Sequence, residues 1–147
     1  MKIIVFLLCF AMFSFRIAPS GGGGQLTVSF EGIERAGGTV RLALYSSGSQ
    51  FMVEDKAVLY NFNVDKKGTL EGFIENLPAG SYAFAAFLDE NNNKKLDKNL
   101  VGVPTEPYGF SKEPPSKWRL PTWEEAKFEH RQSSKTHVVS LKRWALF

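Results

Sequence analysis

Residues 58–88 decide the fold, and they read VLYNFNVDKKGTLEGFIENLPAGSYAFAAFL. Apolar and polar side chains alternate over residues 58–64 and again over 69–75, and this period of two predicts half-buried β-strands. Asp65–Gly68 predicts a tight turn that joins them, and Leu77–Gly80 predicts a second turn. Ser81–Leu88 is almost entirely apolar, which is typical of a central strand covered on both faces.

The same alternation extends outward from this stretch. Residues 25–32, 39–45 and 136–143 predict further strands, and Thr122-Trp-Glu-Glu125 predicts a capping box that opens a short helix. Five of the seven prolines fall within residues 100–121, so we expect a long irregular segment there, packed on the domain through its aromatic residues. The prediction is an all-β, antiparallel sandwich of transthyretin-like (immunoglobulin-like) type, with about seven strands and one short helix near the C-terminus.

The N-terminal segment predicts export. Lys2 precedes an apolar run, Ile3–Phe15, that is too short to span a ~30 Å hydrocarbon core and has the length of a signal-peptide core. We therefore interpret residues 1–20 as a signal peptide, 21–25 as a flexible glycine-rich tether and 26–147 as one domain, periplasmic or extracellular. An uncleaved anchor is the alternative. No later segment is apolar enough to span a membrane.

Charge and cysteine content exclude two classes of function. The formal net charge is +3, and it falls to about +1 without Lys2 and Arg16, which gives no electrostatic case for nucleic-acid binding. The single cysteine, Cys9, lies within the predicted signal peptide. The mature domain would therefore have neither a disulfide nor a cysteine-bound metal.

The segment Asp89–Asn99 carries a candidate calcium loop. Oxygen-bearing side chains stand at alternate positions, at Asp89, Asn91 and Asn93, with Asp97 later, and the backbone carbonyl of Lys95 can add another oxygen. Such a set suits Ca²⁺, a hard cation. The pattern is degenerate, because its sixth position has a lysine in place of glycine and its twelfth has a leucine in place of glutamate. The alternative is an Asn-rich turn whose side chains cap their own backbone.

The run Gly102–Ser111 supplies the second candidate site. Glu106 is either a further calcium ligand or an acceptor for backbone N–H groups of the neighbouring loop. The aromatic residues of segment 102–123 suggest a metal-free surface that recognises an envelope protein or a glycan, because aromatic rings offer a flat contact area. The alternative is that this segment closes one end of the sandwich. The candidate recognition residues are Tyr108, Phe110, Trp118 and Trp123.

These segments also resemble a known family. Asp89–Asp97 and Gly102–Ser111, with Leu77–Ala83 before them and Pro121–Phe128 after them, look like the signature of the secreted bacterial family called domain of unknown function 2141. The resemblance covers about residues 25–147 and implies a prealbumin-like β-sandwich and an exported protein, without an established activity. Loops of that family commonly have glycine where this chain has Asn92 and Lys94, which weakens the metal prediction.

The sequence offers little for catalysis. The two histidines, His130 and His137, follow no metal-binding or catalytic spacing, and we expect both at the surface or at a strand edge. Glu124 and Glu125 are explained as charges in the first turn of a helix. The prediction is a non-catalytic protein, with a hydrolase-like activity as the alternative.

Overall fold

Eight strands form two sheets within residues 22–132 and 136–146, which are the residues that the computed structural model describes. A three-stranded sheet has the order β4-β1-β8, and the second sheet has the order β3-β2-β5-β6, with β7 also paired to β5. The predicted signal peptide, residues 1–20, lies outside the described residues. The strands are β1 (Gly24–Ile33), β2 (Thr39–Tyr45), β3 (Val58–Asn63), β4 (Gly68–Leu77), β5 (Gly80–Asp89), β6 (Tyr108–Phe110), β7 (Phe128–His130) and β8 (His137–Ser140).

The hydrophobic core lies between the two sheets and explains the alternation in the sequence. Every second side chain of each central strand points into the core, and the ring of Phe30 on β1 meets that of Phe62 on β3 at 5.5 Å. The predicted all-β sandwich is confirmed. The central core residues are Leu26, Val28, Phe30, Val40, Leu42, Leu44, Phe84, Ala86 and Leu88.

The two strands joined by the predicted turn at Asp65–Gly68 do not pair with each other as a hairpin would. Residues 64–67 connect β3 to β4, but β3 pairs with β2 and β4 pairs with β1, so this connection crosses from one sheet to the other. The described strand pairs are antiparallel, as predicted, except that β8 runs parallel to β1. Alternating apolar and polar side chains are enough to bury one face of a strand. The alternation does not specify which strand lies next to it.

The segment after β8 links the two sheets along one edge. Leu141 N donates to Glu31 O at 2.9 Å, and Lys142 then exchanges two backbone hydrogen bonds of 2.9 Å with Tyr108 on β6. β6 lies within the proline-rich segment that was expected to be irregular, and it pairs with β5 at Ala85–Phe87. That segment therefore completes the sheet as well as covering its end.

The start of β1 and the short helix differ in how well the sequence predicts them. β1 begins at Gly24, which pairs with Leu77, so Gly24 and Gln25 belong to the strand and not to the predicted tether. The predicted capping box is present at the helix α1 (Trp123–Ala126), because the Thr122 side chain accepts from Glu125 N and the Glu125 carboxylate accepts from Thr122 N. Among the described residues, no helix has the length and apolarity needed to cross a membrane.

Candidate functional site

The candidate site lies at the end of the sandwich where β5 ends and β2 begins. Asp89, the last residue of β5, pairs with Thr39, the first residue of β2. The chain then forms a loop over residues 89–97, which we call the Asp89 loop. Gly38 lets the preceding turn approach this loop closely, because its φ is +80° and a Cβ there would lie 2.6 Å from Asp89 O.

Asp89 fixes this loop from the inside. Its side chain is 0% exposed, its Oδ2 accepts from Arg41 Nε at 2.5 Å and from Lys94 N at 2.9 Å, and its Oδ1 accepts from Asn93 N at 3.1 Å. Burial by itself raises the pKa of Asp89, but these hydrogen bonds and the positive charge of Arg41 outweigh it, so the pKa lies below its ordinary value. The carboxylate is therefore ionised at neutral pH and compensated by Arg41.

Three predicted ligands meet on the exposed side of the loop. Asn91 Nδ2 and Asn93 Nδ2 donate to the Asp97 carboxylate at 2.6 and 2.9 Å. The Oδ1 atoms of the same two asparagines accept from the backbone N–H groups of Asn93 and Lys95 at 3.0 and 2.8 Å. The loop thus brings Asp97 and the two asparagines together, and each side-chain oxygen of the asparagines also caps the backbone.

The backbone of the loop turns through two left-handed residues. Asn92 has φ 58° and Lys94 has φ 68°, a region that favours glycine and tolerates asparagine. Thr39 Oγ1 donates to Asn92 Oδ1 at 2.8 Å, which holds the first of these residues against β2. Lys94 occupies the sixth position of the predicted loop in the conformation for which glycine is the usual residue there.

Glu106 serves as a backbone acceptor, one of its two predicted roles. It is buried, and its Oε1 and Oε2 accept from Glu90 N at 2.8 Å and from Asp97 N at 3.0 Å. Both oxygens are therefore directed at the two ends of the Asp89 loop. Glu106 thus connects the proline-rich segment to the Asp89 loop through two hydrogen bonds.

Two arginines near the site had no recognisable signal in the sequence. Arg41 stands at a polar position of an alternating strand, which by itself indicates only a solvent-facing residue. Arg143 donates from Nη2 to both carboxylate oxygens of Glu90 at 2.8 and 3.1 Å, and from Nη1 to Thr105 O. The C-terminal segment is thereby tied to the end of the sandwich that carries the Asp89 loop.

The four predicted recognition aromatics do not form one surface. Phe110 is buried and packs edge-on against Tyr108 at 6.0 Å, while Trp123 packs against Phe51 at 6.0 Å. Trp118 is 80% exposed and lies edge-on to Trp144 at 5.5 Å. Of the four, Trp118 is thus the one available as a large exposed contact.

A short hairpin, residues 98–104, projects from the same end. Lys98 and Pro104 form a bridge, and Asn99 Oδ1 accepts from Val101 N and Val103 N at 3.1 and 3.0 Å, which fixes the turn. Leu100 at the tip is fully exposed, and Val101 is 81% exposed. The sequence had suggested no role for these two residues.

The histidines are packed more deeply than predicted. His130 is buried, with Nε2 3.1 Å from Leu77 O, so the expected surface position is wrong. His137 is half-buried against the rings of Phe84 and Phe128, and its Nε2–H donates to Ser111 O. Both rings therefore pack in the domain, each with a nitrogen at a backbone carbonyl.

Carboxylate placement and cavity size both bear on which ligands the domain can hold. Among the described residues no group of three or more His, Cys, Asp or Glu side chains is placed to hold a metal ion, so a cation in the Asp89 loop would need amide and backbone oxygens in addition to a carboxylate. At the opposite end of the sandwich Tyr45, Tyr60, Tyr82 and Lys56 line a cavity of about 230 Å³. That volume is below the range typical of small-molecule sites.

Comparison with known proteins identifies the family and leaves its activity open. Residues 28–138 match the model of the family described as "Uncharacterized protein conserved in bacteria (DUF2141)". The match covers most of the chain, so the protein belongs to this family. No curated protein and no solved structure matches the chain.

Proposed function

We propose that this member of the family is an exported, non-catalytic module that acts by binding, and that its Asp89 loop binds Ca²⁺. The observation that carries the calcium proposal is the convergence of Asn91, Asn93 and Asp97 side chains on the exposed side of a turn fixed from within. In the described conformation the side-chain amides of Asn91 and Asn93 donate to the Asp97 carboxylate and leave its charge uncompensated. A cation between these side chains would compensate that charge and replace the two hydrogen bonds.

The oxygen ligands available in the Asp89 loop favour weak calcium binding. The ligands would be side-chain oxygens of Asn91, Asn93 and Asp97 with the carbonyl of Lys95. Asp89 and Glu106, although predicted as ligands, already use both of their oxygens on N–H groups inside the loop. The charge of Asp89 is already offset by Arg41, so Asp97 contributes the main uncompensated charge. We therefore expect a Kd on the order of 10⁻⁴–10⁻³ M, the range of extracellular calcium modules.

A thermal melt with added calcium tests this proposal. With a Kd of about 1 mM, 10 mM Ca²⁺ stabilises the folded state by about 1.4 kcal/mol, which raises Tm by about 4–6 °C. Asp89→Ala should abolish the rise, but this variant also removes a buried anchor of the loop. Asp97→Asn is the sharper variant, because the exposed side of the loop loses its charge while the buried hydrogen bonds of Asp89 stay.

The control is Asp55→Asn, which removes an exposed carboxylate outside the loop and should keep the full rise in Tm. Equal responses of wild type and Asp97→Asn, or no rise at 10 mM Ca²⁺, would contradict calcium binding at the Asp89 loop.

A second candidate function is metal-free recognition of an envelope protein or a glycan, favoured by the exposure of Trp118. Its ring is braced by Trp144, and Lys117 Nζ lies 5.6 Å from its centre. Trp118→Ala should therefore leave the melting temperature unchanged and abolish binding to an envelope extract that retains the wild-type protein. Retained binding, or unfolding of the variant, would contradict this function.

Two features support a non-catalytic role and export. His130 Nε2 lies 3.1 Å from Leu77 O and His137 Nε2–H donates to Ser111 O, so both rings are packed against the backbone of the domain. The apolar segment that follows Lys2 supports export, and mass spectrometry of protein secreted from the full-length gene would test it. Loss of residues up to 18–24 is the expected result, and an intact N-terminus would contradict cleavage.

A further inference from the structure

We propose that the tip of the 98–104 hairpin inserts into the surface of a membrane that contains anionic lipids. This inference does not depend on calcium binding. It rests on an apolar tip, on the rigidity of the turn that presents it and on the charges beside it in the chain.

The tip is apolar and held rigidly. Leu100 and Val101 are adjacent and exposed at the end of the hairpin, and nothing within the described residues covers them. The Asn99 side chain accepts two backbone N–H groups, Asn99 N donates to Val103 O at 2.9 Å, and Gly102 N donates to Asn99 O at 2.9 Å. Since these bonds fix the turn, the two apolar side chains cannot simply fold back onto the domain.

Positive charge lies beside this tip in the chain. Lys94, Lys95 and Lys98 are exposed, and none of them forms an ion pair within residues 22–132 and 136–146. The nearby carboxylate of Asp97 accepts from two amide groups of its own loop. Residues 94–99, directly before the apolar pair, therefore carry three lysines and one carboxylate. A basic segment next to exposed apolar side chains is the combination that attracts a protein to anionic headgroups and lets it insert.

Size favours a lipid surface over a protein partner. A standard protein–protein interface buries about 800 Å² on each side, whereas a two-residue tip offers only a small convex contact. A lipid interface needs no complementary groove and accepts apolar side chains to a depth of about 5–10 Å.

The tryptophan pair of the same end supports this orientation. Trp144 directly follows Arg143, whose guanidinium donates to Thr105 O next to the hairpin, and Trp118 packs on Trp144. Tryptophan is enriched at membrane–water interfaces, where its ring lies at the level of the headgroups.

A fluorophore at the tip tests the proposal in the full chain. Val101→Cys in a Cys9→Ser background is labelled with an environment-sensitive dye, and phosphatidylcholine vesicles with or without phosphatidylglycerol are added in EDTA. The matched control is Leu59→Cys, at a comparably exposed apolar position on the edge strand β3. We expect a blue shift and a rise in emission at position 101 with the anionic vesicles, and no change at position 59.

The two label positions also distinguish insertion of the hairpin from membrane attachment through residues 1–20. Attachment at the N-terminus would not place position 101 in lipid in preference to position 59. An unchanged spectrum at 101, equal changes at 101 and 59, or an equal response to vesicles without phosphatidylglycerol would each overturn the proposal.

Two sets of variants test the separate contributions. Lys94→Gln, Lys95→Gln and Lys98→Gln together should weaken binding to anionic vesicles roughly a hundredfold, at roughly fivefold for each lysine. Leu100→Asn should weaken it about tenfold in the same background. Unchanged binding of the lysine variant would show that charge does not contribute, and unchanged binding of Leu100→Asn would show that the apolar tip does not insert. Either result would overturn the proposed mode of insertion.

Discussion

Arg41 Nε lies 2.5 Å from Oδ2 of Asp89, and the side chain of Asp89 is 0% exposed. The pair joins the middle of β2 to the start of the Asp89 loop. A buried carboxylate is tolerated because the guanidinium and two backbone N–H groups satisfy it. The conformation of the loop is therefore coupled to the sheet through one ion pair.

The first prediction concerns the stability that this pair provides. Asp89→Ala leaves Arg41 without its ion-pair partner and two loop N–H groups without an acceptor, so it should lower the free energy of unfolding by about 3–5 kcal/mol. Urea unfolding measures this change. Asp55→Ala, at an exposed carboxylate 3.6 Å from Lys56, should change it by less than about 0.5 kcal/mol.

A double variant shows whether the loss comes from the pair itself. Asp89→Leu combined with Arg41→Leu should cost clearly less than the sum of the two single variants, because neither charge remains unpaired. Additive losses would mean that the two side chains act independently.

The second prediction separates the two roles considered for Glu106. Glu106→Gln presents an N–H₂ group to one of the two backbone donors, so it should destabilise the protein by about 1–3 kcal/mol and speed amide exchange at Glu90 and Asp97. Hydrogen exchange followed by NMR measures both sites. Exchange that slows only when calcium is added and that needs Glu106 would instead indicate a metal ligand.

Local patterns in the sequence predict the elements of this fold. Alternation over residues 58–64 and 69–75 arises because one face of each strand is buried, and the Thr122–Glu125 capping box is a contact between neighbours in the chain. The spacing of Asp89, Asn91 and Asn93 likewise anticipates side chains that cap nearby N–H groups. Such features depend on residues a few positions apart.

Contacts between distant residues were not predictable in this way. Arg41 and Asp89 are 48 residues apart, and no local property of Arg41 distinguishes it from an exposed strand residue. The assignment of β3 and β4 to different sheets and the burial of His130 depend on which strands become neighbours. The candidate site is therefore predictable as a loop, but not as a loop anchored by a particular arginine and glutamate.

The third prediction uses the left-handed backbone at Lys94. A residue with a Cβ costs about 1–2 kcal/mol in that conformation, while glycine loses more chain entropy on folding. Lys94→Gly should therefore stabilise the protein by about 0.5–1 kcal/mol in urea unfolding. The control is Lys95→Gly, which removes the same charge at a residue with negative φ and should destabilise by a similar amount. Equal effects at both positions would contradict the strain at Lys94.

The fourth prediction concerns pH. Burial against Phe84 and Phe128 lowers the pKa of His137, and the nearby charge of Lys112 lowers it further, while the hydrogen bond to Ser111 O opposes both. The folded state therefore binds this proton more weakly than the unfolded state does, for which the pKa is about 6.5. The contribution of His137 is complete above about pH 6.5 and is lost as the pH falls through the folded pKa.

Urea unfolding at pH 8, 7, 6 and 5 measures this loss, which for one proton is no steeper than about 1.4 kcal/mol per pH unit. His137→Phe keeps an aromatic ring at this position and cannot titrate, so the difference in stability between wild type and variant should shrink as the pH falls below 6.5. Lys112→Gln removes one cause of the lowered pKa of His137. The stability of this variant should therefore fall less steeply with decreasing pH than that of the wild type. A difference between wild type and His137→Phe that stays constant from pH 8 to pH 5 would show that the imidazole titrates equally in both states.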